Sequence, residues 1–448
     1  MTLASVARYD PAAVKPIGDR AVVIGASMAG LLATRVLADA YEEVIVIERD
    51  ELQDEPTVRR GVPQARHPHV LLEAGRATLE DLFPGFGKDL LTAGGLMIDV
   101  STDVHYFDQG DFIADAPTRI PMYCASRPLF EQVVRRRVDA IAGVTIRDSC
   151  QFSDYLTDDG VRAVTGIALR DEQDREADLT ADVVVDATGR ASRTPTWLER
   201  NGFDGFDIDW VTIDVVYSTA IIDRPPEDRR VIFVAPDPPR TRGGVAIPVE
   251  NNQWMILMWG IHGDHPPTDR DGFLDFARSL PVSVFETLLE DRDWVSDEIH
   301  QYPFPSSIRN RYESLDQYPS GLLITGDAIA SNNPIHGQGM SVSALEALVM
   351  HHTLARGERD LERRFFDRVG SVVDIAWMLS VGADAQFEQT EGPTPWIAGP
   401  FTEYVSRLVR AAHSDRQLSE AFYRVLIMEE PPTSLLHPRT IWRVFSPF

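Results

Sequence analysis

Lysine is almost absent from this sequence. Lys15 and Lys88 are the two lysines among 43 basic residues, and 69 acidic residues bring the formal net charge to −26. A chain this acidic repels phosphate backbones and anionic lipid, so nucleic acid and membrane surfaces are excluded as favoured partners. Few lysines combined with many carboxylates are typical of proteins from salt-loving organisms, and a GC-rich genome is the alternative explanation.

Cysteines and long apolar runs are also scarce. Cys124 and Cys150 are too few for a disulfide framework, which favours a reducing cytoplasm as the location. The longest apolar run, 254–261, falls well short of the ~18 residues expected of a membrane span, and residues 1–19 lack the apolar core of a signal peptide. With 44 % hydrophobic residues, the chain can build about two or three domain cores.

The first strong motif is a strand–turn–helix–strand unit near the start of the chain. The apolar run 21–24 predicts a buried strand, and a glycine-containing turn at 25–30 leads into a helix over 31–40. The run 44–47 predicts a second strand, which ends at Glu48. This arrangement is typical of a dinucleotide-binding βαβ unit.

Each part of this unit has a physical role. Gly25 permits the tight turn, Gly30 lets the helix pack closely on the strand, and the helix N-terminus offers N–H groups to a pyrophosphate. Glu48 can accept the hydroxyls of an adenosine ribose, and the adjacent Arg49 is a further candidate for cofactor binding. Ser27 stands where the fingerprint usually has its second glycine, and a small serine is the mildest replacement.

Two later segments favour FAD over NAD as the dinucleotide. The run 181–190 predicts another buried strand ending in a glycine turn, and 321–328 repeats this pattern. A proline- and glycine-containing loop at 333–339 then opens a helix, whose positive N-terminus would favour an anionic reduced flavin, while an aspartate can bind a ribityl hydroxyl. The candidates from these segments are Gly326, Asp327, Pro334, Gly337, Gly339 and Met340.

Together, these motifs resemble the FAD-dependent monooxygenases of the para-hydroxybenzoate hydroxylase class over residues 20 to about 354. The stretch 61–69, Gly-Val-Pro-Gln-Ala-Arg-His-Pro-His, resembles a narrower branch of squalene-epoxidase-like enzymes and polyether epoxidases. The resemblance implies an α/β fold with a Rossmann-like FAD-binding domain of GR2 type, an inserted antiparallel-sheet substrate domain and a C-terminal helical region. The expected boundaries are 18–95, 121–203 and 306–354 for the FAD domain, 96–120 and 204–305 for the substrate domain, and 355–448 for the helices.

The resemblance also implies roles for single residues. Arg127 matches the family arginine that contacts the cofactor, and Asp327 matches the acid that binds its ribityl and pyrophosphate part. Arg66 and His67 would lie near the flavin ring, which Pro334 would border, so these three are the candidate catalytic residues.

The implied activity is monooxygenation of a mainly apolar small molecule. NADPH or NADH reduces FAD transiently, O₂ adds at flavin C4a, and the resulting hydroperoxide passes one oxygen to the substrate. The chain has no second glycine-rich fingerprint for the nicotinamide, as is usual in this class. Epoxidation is preferred to phenol hydroxylation because the sequence shows no obvious general base. Two alternatives stay open: an FAD-dependent reductase or dehydrogenase of an isoprenoid-like substrate, and a non-redox cyclase that retains FAD.

The middle of the chain predicts a sheet that covers the flavin. The runs 244–249 and 253–259 flank a hairpin turn at 250–252, and ordinary sheet core is favoured over pocket lining for Trp254, Met255, Met258 and Trp259. No histidine or cysteine pattern predicts a metal site, and the scarcity of lysine argues against flavin-dependent halogenation, which uses a family lysine. The sequence leaves the oligomeric state open.

Overall fold

The computed structural model describes residues 2–203, 205–393 and 398–446. Its strands are β1 (Gly18–Ile24), β2 (Tyr41–Ile47), β3 (His69–Leu71), β4 (Leu96–Asp99), β5 (Val104–Asp108), β6 (Asp111–Phe112), β7 (Pro121–Ala125), β8 (Val144–Arg147), β9 (Gln151–Thr157), β10 (Val164–Arg170), β11 (Glu176–Thr180), β12 (Val183–Asp186), β13 (Ile208–Asp223), β14 (Val231–Val234), β15 (Arg242–Val249), β16 (Gln253–Gly260), β17 (His300–Asn310), β18 (Leu322–Ile324) and β19 (Ala330–Ser331). Its helices are α1 (Met28–Leu37), α2 (Glu73–Leu82), α3 (Phe86–Thr92), α4 (Val100–Asp103), α5 (Arg127–Asp139), α6 (Thr194–Arg200), α7 (Arg270–Arg278), α8 (Val284–Asp291), α9 (Gly339–Leu354), α10 (Leu361–Asp384), α11 (Ala398–Ala412), α12 (Arg416–Leu426) and α13 (Pro438–Phe445).

A five-stranded parallel sheet contains the βαβ motif, with the strand order β18-β12-β1-β2-β8. Val23 of β1 packs into the core that includes α1 and α9, whereas Val22 packs into a separate core with the antiparallel sheet β11-β10-β9. Because both faces are covered, the central strands need unbroken apolar runs. The strand and helix predictions for 21–47 are confirmed, with α1 beginning three residues before the expected start.

The second large sheet has eight strands in the order β19-β17-β13-β16-β15-β14-β5-β6. Its neighbours are antiparallel except for β5 and β14. The predicted β15–β16 hairpin is confirmed, and Asn251 and Asn252 have positive φ angles of 60° and 54°, as a tight hairpin turn requires. One face of this sheet is covered by α7 and α8. Side chains on the other face belong to the same hydrophobic core as α1, α9 and one face of the parallel sheet.

The C-terminal part of the chain is helical, as predicted, and α10 packs beside α9. A small antiparallel sheet, β3-β7-β4, completes the described structure. Within residues 2–203, 205–393 and 398–446, no helix is both long enough and apolar enough for a membrane crossing.

The expected α/β fold class is therefore confirmed, with a Rossmann-like parallel sheet, a separate antiparallel sheet and C-terminal helices. The domain boundaries stay predictions. Two strands of the large sheet extend into the segment 306–354 expected to belong to the FAD domain. Strand β17 continues to Asn310, and β19 lies wholly within that segment.

Candidate active site

A cavity of about 810 Å³ opens between the carboxyl ends of the parallel strands and the eight-stranded sheet. Residues that come directly after β1, β2 and β12, and the third residue after β18, line one half of it, namely Gly25, Glu48, Ala187 and Asp327 with their neighbours. Ligands of open α/β sheets bind at this edge of the sheet because the loops and helix N-termini converge there. Side chains of the large sheet form the other half.

The glycine-rich turn has the close packing that the fingerprint requires. Gly25 has a φ of +107°, and a Cβ on Gly30 would lie 1.8 Å from the Gly25 carbonyl oxygen. Gly30 therefore acts through packing and does not line the cavity. Ser27, at the N-terminal end of α1, lines the cavity.

Glu48 is held rigidly at the end of β2. Its carboxylate accepts hydrogen bonds from the backbone N–H groups of Ala26 (2.9 Å) and Asp50 (3.0 Å), and it lies 3.0 Å from the Arg59 guanidinium. Arg59 is buried and also pairs with Glu131. Arg49, the other predicted residue here, lines the cavity as well.

Arg127 crosses from α5 to the glycine-rich turn. Its Nη2 donates a 2.7 Å hydrogen bond to the Ser27 hydroxyl, and its guanidinium lies 3.6 Å from the Glu131 carboxylate. Its Nη1 is buried and has no hydrogen-bond partner among the described residues. Burial lowers the pKa of Arg127, and an unpartnered buried donor costs free energy unless a ligand supplies an acceptor.

Asp327 follows β18 and lines the cavity. Burial raises the pKa of its carboxyl, while the positive charges of Arg127 and Arg190 oppose this shift. The preceding Gly326 has a φ of +68°, and its N–H donates a 2.6 Å hydrogen bond to the Glu346 carboxylate on α9. Burial raises the pKa of Glu346 to about 7.

The loop before α9 borders the same cavity. Pro334, Gly337, Gly339 and Met340 all line it, and Gly337 adopts a left-handed conformation with a φ of +65°. A Cβ at Gly339 would meet no described atom within 4 Å, so the N-terminus of α9 is open toward the cavity.

The three candidate catalytic residues are not all at the cavity. His67 and Pro334 line it, whereas Arg66 is exposed, does not line it, and lies 3.4 Å from the His300 ring nitrogen. The Nδ1 of His67 is hydrogen-bonded to the Thr219 hydroxyl at 2.8 Å. Burial lowers the pKa of His67 to about 3, so its imidazole is neutral near pH 7.

The half of the cavity formed by the large sheet is mainly apolar and aromatic. Phe233, Leu257, Trp259 and Phe304 line it, and the rings of Tyr217 and Tyr302 stack beside them at 5.5 Å between centroids. The prediction that the tryptophans of β16 belong to the sheet core, and not to the pocket lining, holds for one of them and not for the other. Trp254 and Met258 pack under α7 and α8, as expected of core residues, while Trp259 faces the cavity from the opposite side of β16.

Several residues of this site carry no local sequence signal. Arg59 belongs to no predicted motif, and Arg190 ends the predicted run 181–190 without a role assigned to it. Asp384 of α10 reaches the loop residues Asn333 (2.8 Å, hydrogen bond) and His336 (3.7 Å) only through tertiary packing. Glu346 does leave a signal, since it is the one acidic residue of the mainly buried helix α9. No group of three or more metal-ligating side chains occurs in the described ranges.

A Rossmann-like sheet with a glycine-rich turn, an acid after β2 and an aspartate after β18 is typical of an α/β protein that binds a dinucleotide cofactor. Residues 20–362 match the protein family described as FAD binding domain, and the chain belongs to this family. It is therefore a flavin-dependent oxidoreductase, and the predicted resemblance is confirmed at this level. The narrower squalene-epoxidase-like branch stays a prediction.

Three known proteins illustrate the relationship. Protein Rv3254 of Mycobacterium tuberculosis is 32% identical over 422 residues, which cover 91% of this chain and 89% of that protein. A flavoprotein/dehydrogenase from Cytophaga hutchinsonii has a TM-score of 0.67 at 14% identity, covering 94% of this chain and 96% of its own. PqsL, a probable FAD-dependent monooxygenase from Pseudomonas aeruginosa, has a TM-score of 0.60 at 15% identity, covering 90% and 99%. The two structures share the fold with this chain.

The residues of the cavity fit FAD. The unpartnered Nη1 of Arg127 and the start of α1 at Ser27 present donors suited to a pyrophosphate. Glu48 presents acceptors suited to ribose hydroxyls, and Asp327 does the same for a ribityl chain.

Proposed function

We propose that this protein is an FAD-dependent monooxygenase that uses NADPH or NADH and O₂ to oxygenate a mainly apolar small molecule. The observation that supports this proposal is the division of one cavity into a polar half, with Arg127 and Asp327, and an aromatic half, with Phe233 and Trp259. When bound, FAD supplies the redox chemistry: it takes electrons from the nicotinamide, activates O₂ at C4a and delivers one oxygen atom.

The residues of the chain bind and orient the reactants. Arg127 and the N-terminus of α1 would hold the pyrophosphate, Glu48 the ribose and Asp327 the ribityl chain. Pro334 and the open N-terminus of α9 would border the ring, where the helix end stabilises negative charge. The aromatic half excludes water from the reacting atoms, which suppresses unproductive loss of the activated oxygen.

Epoxidation of an alkene is the preferred reaction. It needs no general base, and burial lowers the pKa of His67 to about 3, which makes this histidine a poor base at neutral pH. Hydroxylation of a phenol is the second candidate, and one observation favours it. His336 lines the cavity, and its Nε2 lies 3.7 Å from the Asp384 carboxylate, a pairing that suits a proton acceptor.

One experiment separates this proposal from the reductase and from the non-redox cyclase. The FAD-loaded protein is mixed with NADPH or NADH, and flavin absorbance and O₂ consumption are followed with and without alkenes, terpenoids and phenols. A monooxygenase consumes O₂ and yields an oxygenated product when its substrate is present. Reduced flavin that is stable in air would favour the reductase, and flavin that neither nicotinamide reduces would favour the cyclase.

A further inference from the structure

A second cavity, of about 170 Å³, lies against the first one, between the large sheet and helices α10 and α11. Tyr106, Phe233, Ile335 and His336 line both cavities, so the two share one wall. We name the second cavity the side arm. Its apolar lining includes Pro236, Ile261, Met378, Leu379, Phe387 and Val409.

Ionisable side chains that the structure leaves without a full set of partners, or whose pKa burial shifts, occur at two points of the side arm. Where it meets the main cavity, His336 lies beside Asp384, whose Oδ2 is buried without a hydrogen-bond partner in the described part of the chain. At another point of the wall, burial raises the pKa of Asp108 to about 7, and Asp237 adds to this shift. Four uncharged polar residues also line the side arm, namely Gln109, Gln386, Thr402 and Ser406. The rest of the lining is apolar or aromatic, which suits a chain of carbon atoms.

We propose that the side arm is part of the substrate site and takes an alkyl or alkenyl chain of the substrate, while His336 at the junction binds a hydroxyl or carbonyl oxygen of the same molecule. This inference rests on the proposed function and narrows it to an elongated substrate with one polar group near the oxidised carbon. Size supports it, because an apolar cavity of roughly 150 Å³ is known to hold a benzene molecule. Continuity with the main cavity supports it as well, because the shared lining would bring such a chain beside the aromatic half.

Gly382 of α10 offers a direct way to fill the side arm. It lines the side arm but not the main cavity, and a Cβ built there would meet no atom within 4 Å among the described residues. A substitution at this helical position removes a residue with poor helix propensity, and the added β-carbon needs no displacement of a neighbour. Gly382→Leu should therefore occupy the side arm, and Gly382→Ala is the matched control, because it makes the same change of propensity but adds a single carbon.

The test measures the binding of para-alkylphenols, from para-cresol to para-octylphenol, to the FAD-loaded protein by equilibrium dialysis. In the wild type, affinity should rise roughly fourfold for each methylene until the side arm is full. Gly382→Leu should bind para-cresol within about twofold of the wild type and lose the gain from longer chains, whereas Gly382→Ala should keep most of that gain. Flavin content and the thermal midpoint report whether each variant is folded.

Met378→Ala provides a second variant with the opposite effect. Met378 lines the side arm only, so its truncation should move the affinity maximum to longer chains. This variant tests the proposal even if Gly382→Leu does not fold. An unchanged dependence on chain length in both variants overturns the proposal, and so does a wild type that binds no member of the series or shows no gain with length.

These experiments distinguish a failure of the side-arm proposal from a failure of the monooxygenase proposal. A protein that shows the expected binding pattern but is reduced by neither nicotinamide contradicts the monooxygenase proposal and leaves the side arm in place. A protein that oxygenates a small substrate but shows no gain with chain length contradicts the side arm alone.

Discussion

Arg127 and Ser27 meet across 100 positions of the chain, where the Arg127 Nη2 donates a 2.7 Å hydrogen bond to the Ser27 hydroxyl. Ser27 occupies the place of the usual second glycine, so the hydroxyl that departs from the fingerprint is the atom that holds the arginine. This contact orients the buried guanidinium, whose Nη1 faces no acceptor in the described structure. A serine at this turn thus contributes to the proposed pyrophosphate site instead of weakening it.

Replacing Arg127 should therefore weaken FAD binding. Arg127→Leu removes the charged donors of the proposed pyrophosphate site, and charge-assisted hydrogen bonds contribute about 1.5–3 kcal/mol, so the Kd for FAD should rise roughly 10- to 100-fold. The measurement is titration of the deflavinated protein with FAD. Arg136→Leu, at an exposed position of the same helix, is the control and should bind FAD as the wild type does. Equal affinities in the two variants would contradict the assigned role.

Restoring the usual glycine at position 27 should be unfavourable in this chain. Ser27→Gly removes the acceptor of the Arg127 hydrogen bond, and a net loss of about 1 kcal/mol corresponds to roughly fivefold weaker FAD binding. The double variant Ser27→Gly with Arg127→Leu should lose less affinity than the sum of the two single changes, because both remove the same contact. Tighter binding by Ser27→Gly would show instead that the serine obstructs the phosphate.

The buried histidine at position 67 should make the protein less stable in acid. Burial lowers the pKa of His67 to about 3, whereas the unfolded chain has a pKa of about 6.5. The unfolded state therefore binds an extra proton between these values, and stability falls as the pH drops from about 6.5, by up to ~1.4 kcal/mol per pH unit for this group.

His67→Gln should flatten this dependence, which thermal midpoints measured between pH 7 and pH 4.5 would reveal. His352→Gln serves as the control, since that side chain is hydrogen-bonded to the Ala7 carbonyl away from the cavity. A His67→Gln profile parallel to the wild-type profile would mean that His67 titrates normally in the folded protein.

The acidic composition leads to a prediction about salt. With a net charge of −26, self-repulsion is weakly screened in dilute buffer, where the Debye length is about 30 Å at 0.01 M, and strongly screened at 1 M, where it is about 3 Å. If the source is salt-loving, FAD retention and activity should fall when KCl is removed. Sucrose is the control, because it is uncharged and should not restore either. Full flavin content in dilute buffer would favour the GC-rich genome as the cause of the composition.

The sequence predicted more residues of the polar half of the cavity than of the aromatic half. The polar half depends on backbone geometry, and residues such as Gly25, Gly30 and Glu48 show that geometry directly in their spacing. The aromatic half depends on which face of each strand turns inward. That choice separates Trp259 from Trp254 on the same strand, and periodicity alone could not assign the two faces.

The sequence by itself determined the βαβ unit, the strand that precedes Asp327 and the loop that opens α9, because tight turns and buried strands need particular residues at fixed spacings. Only the tertiary structure decided that Arg66 lies outside the cavity, that Arg59 holds Glu48, and that Asp384 reaches His336. Those contacts join residues that are distant along the chain. Tertiary packing brings such charged side chains together, and no local sequence pattern predicts which of them will meet. The side arm arises in the same way, from helices and strands that meet only after the chain has folded.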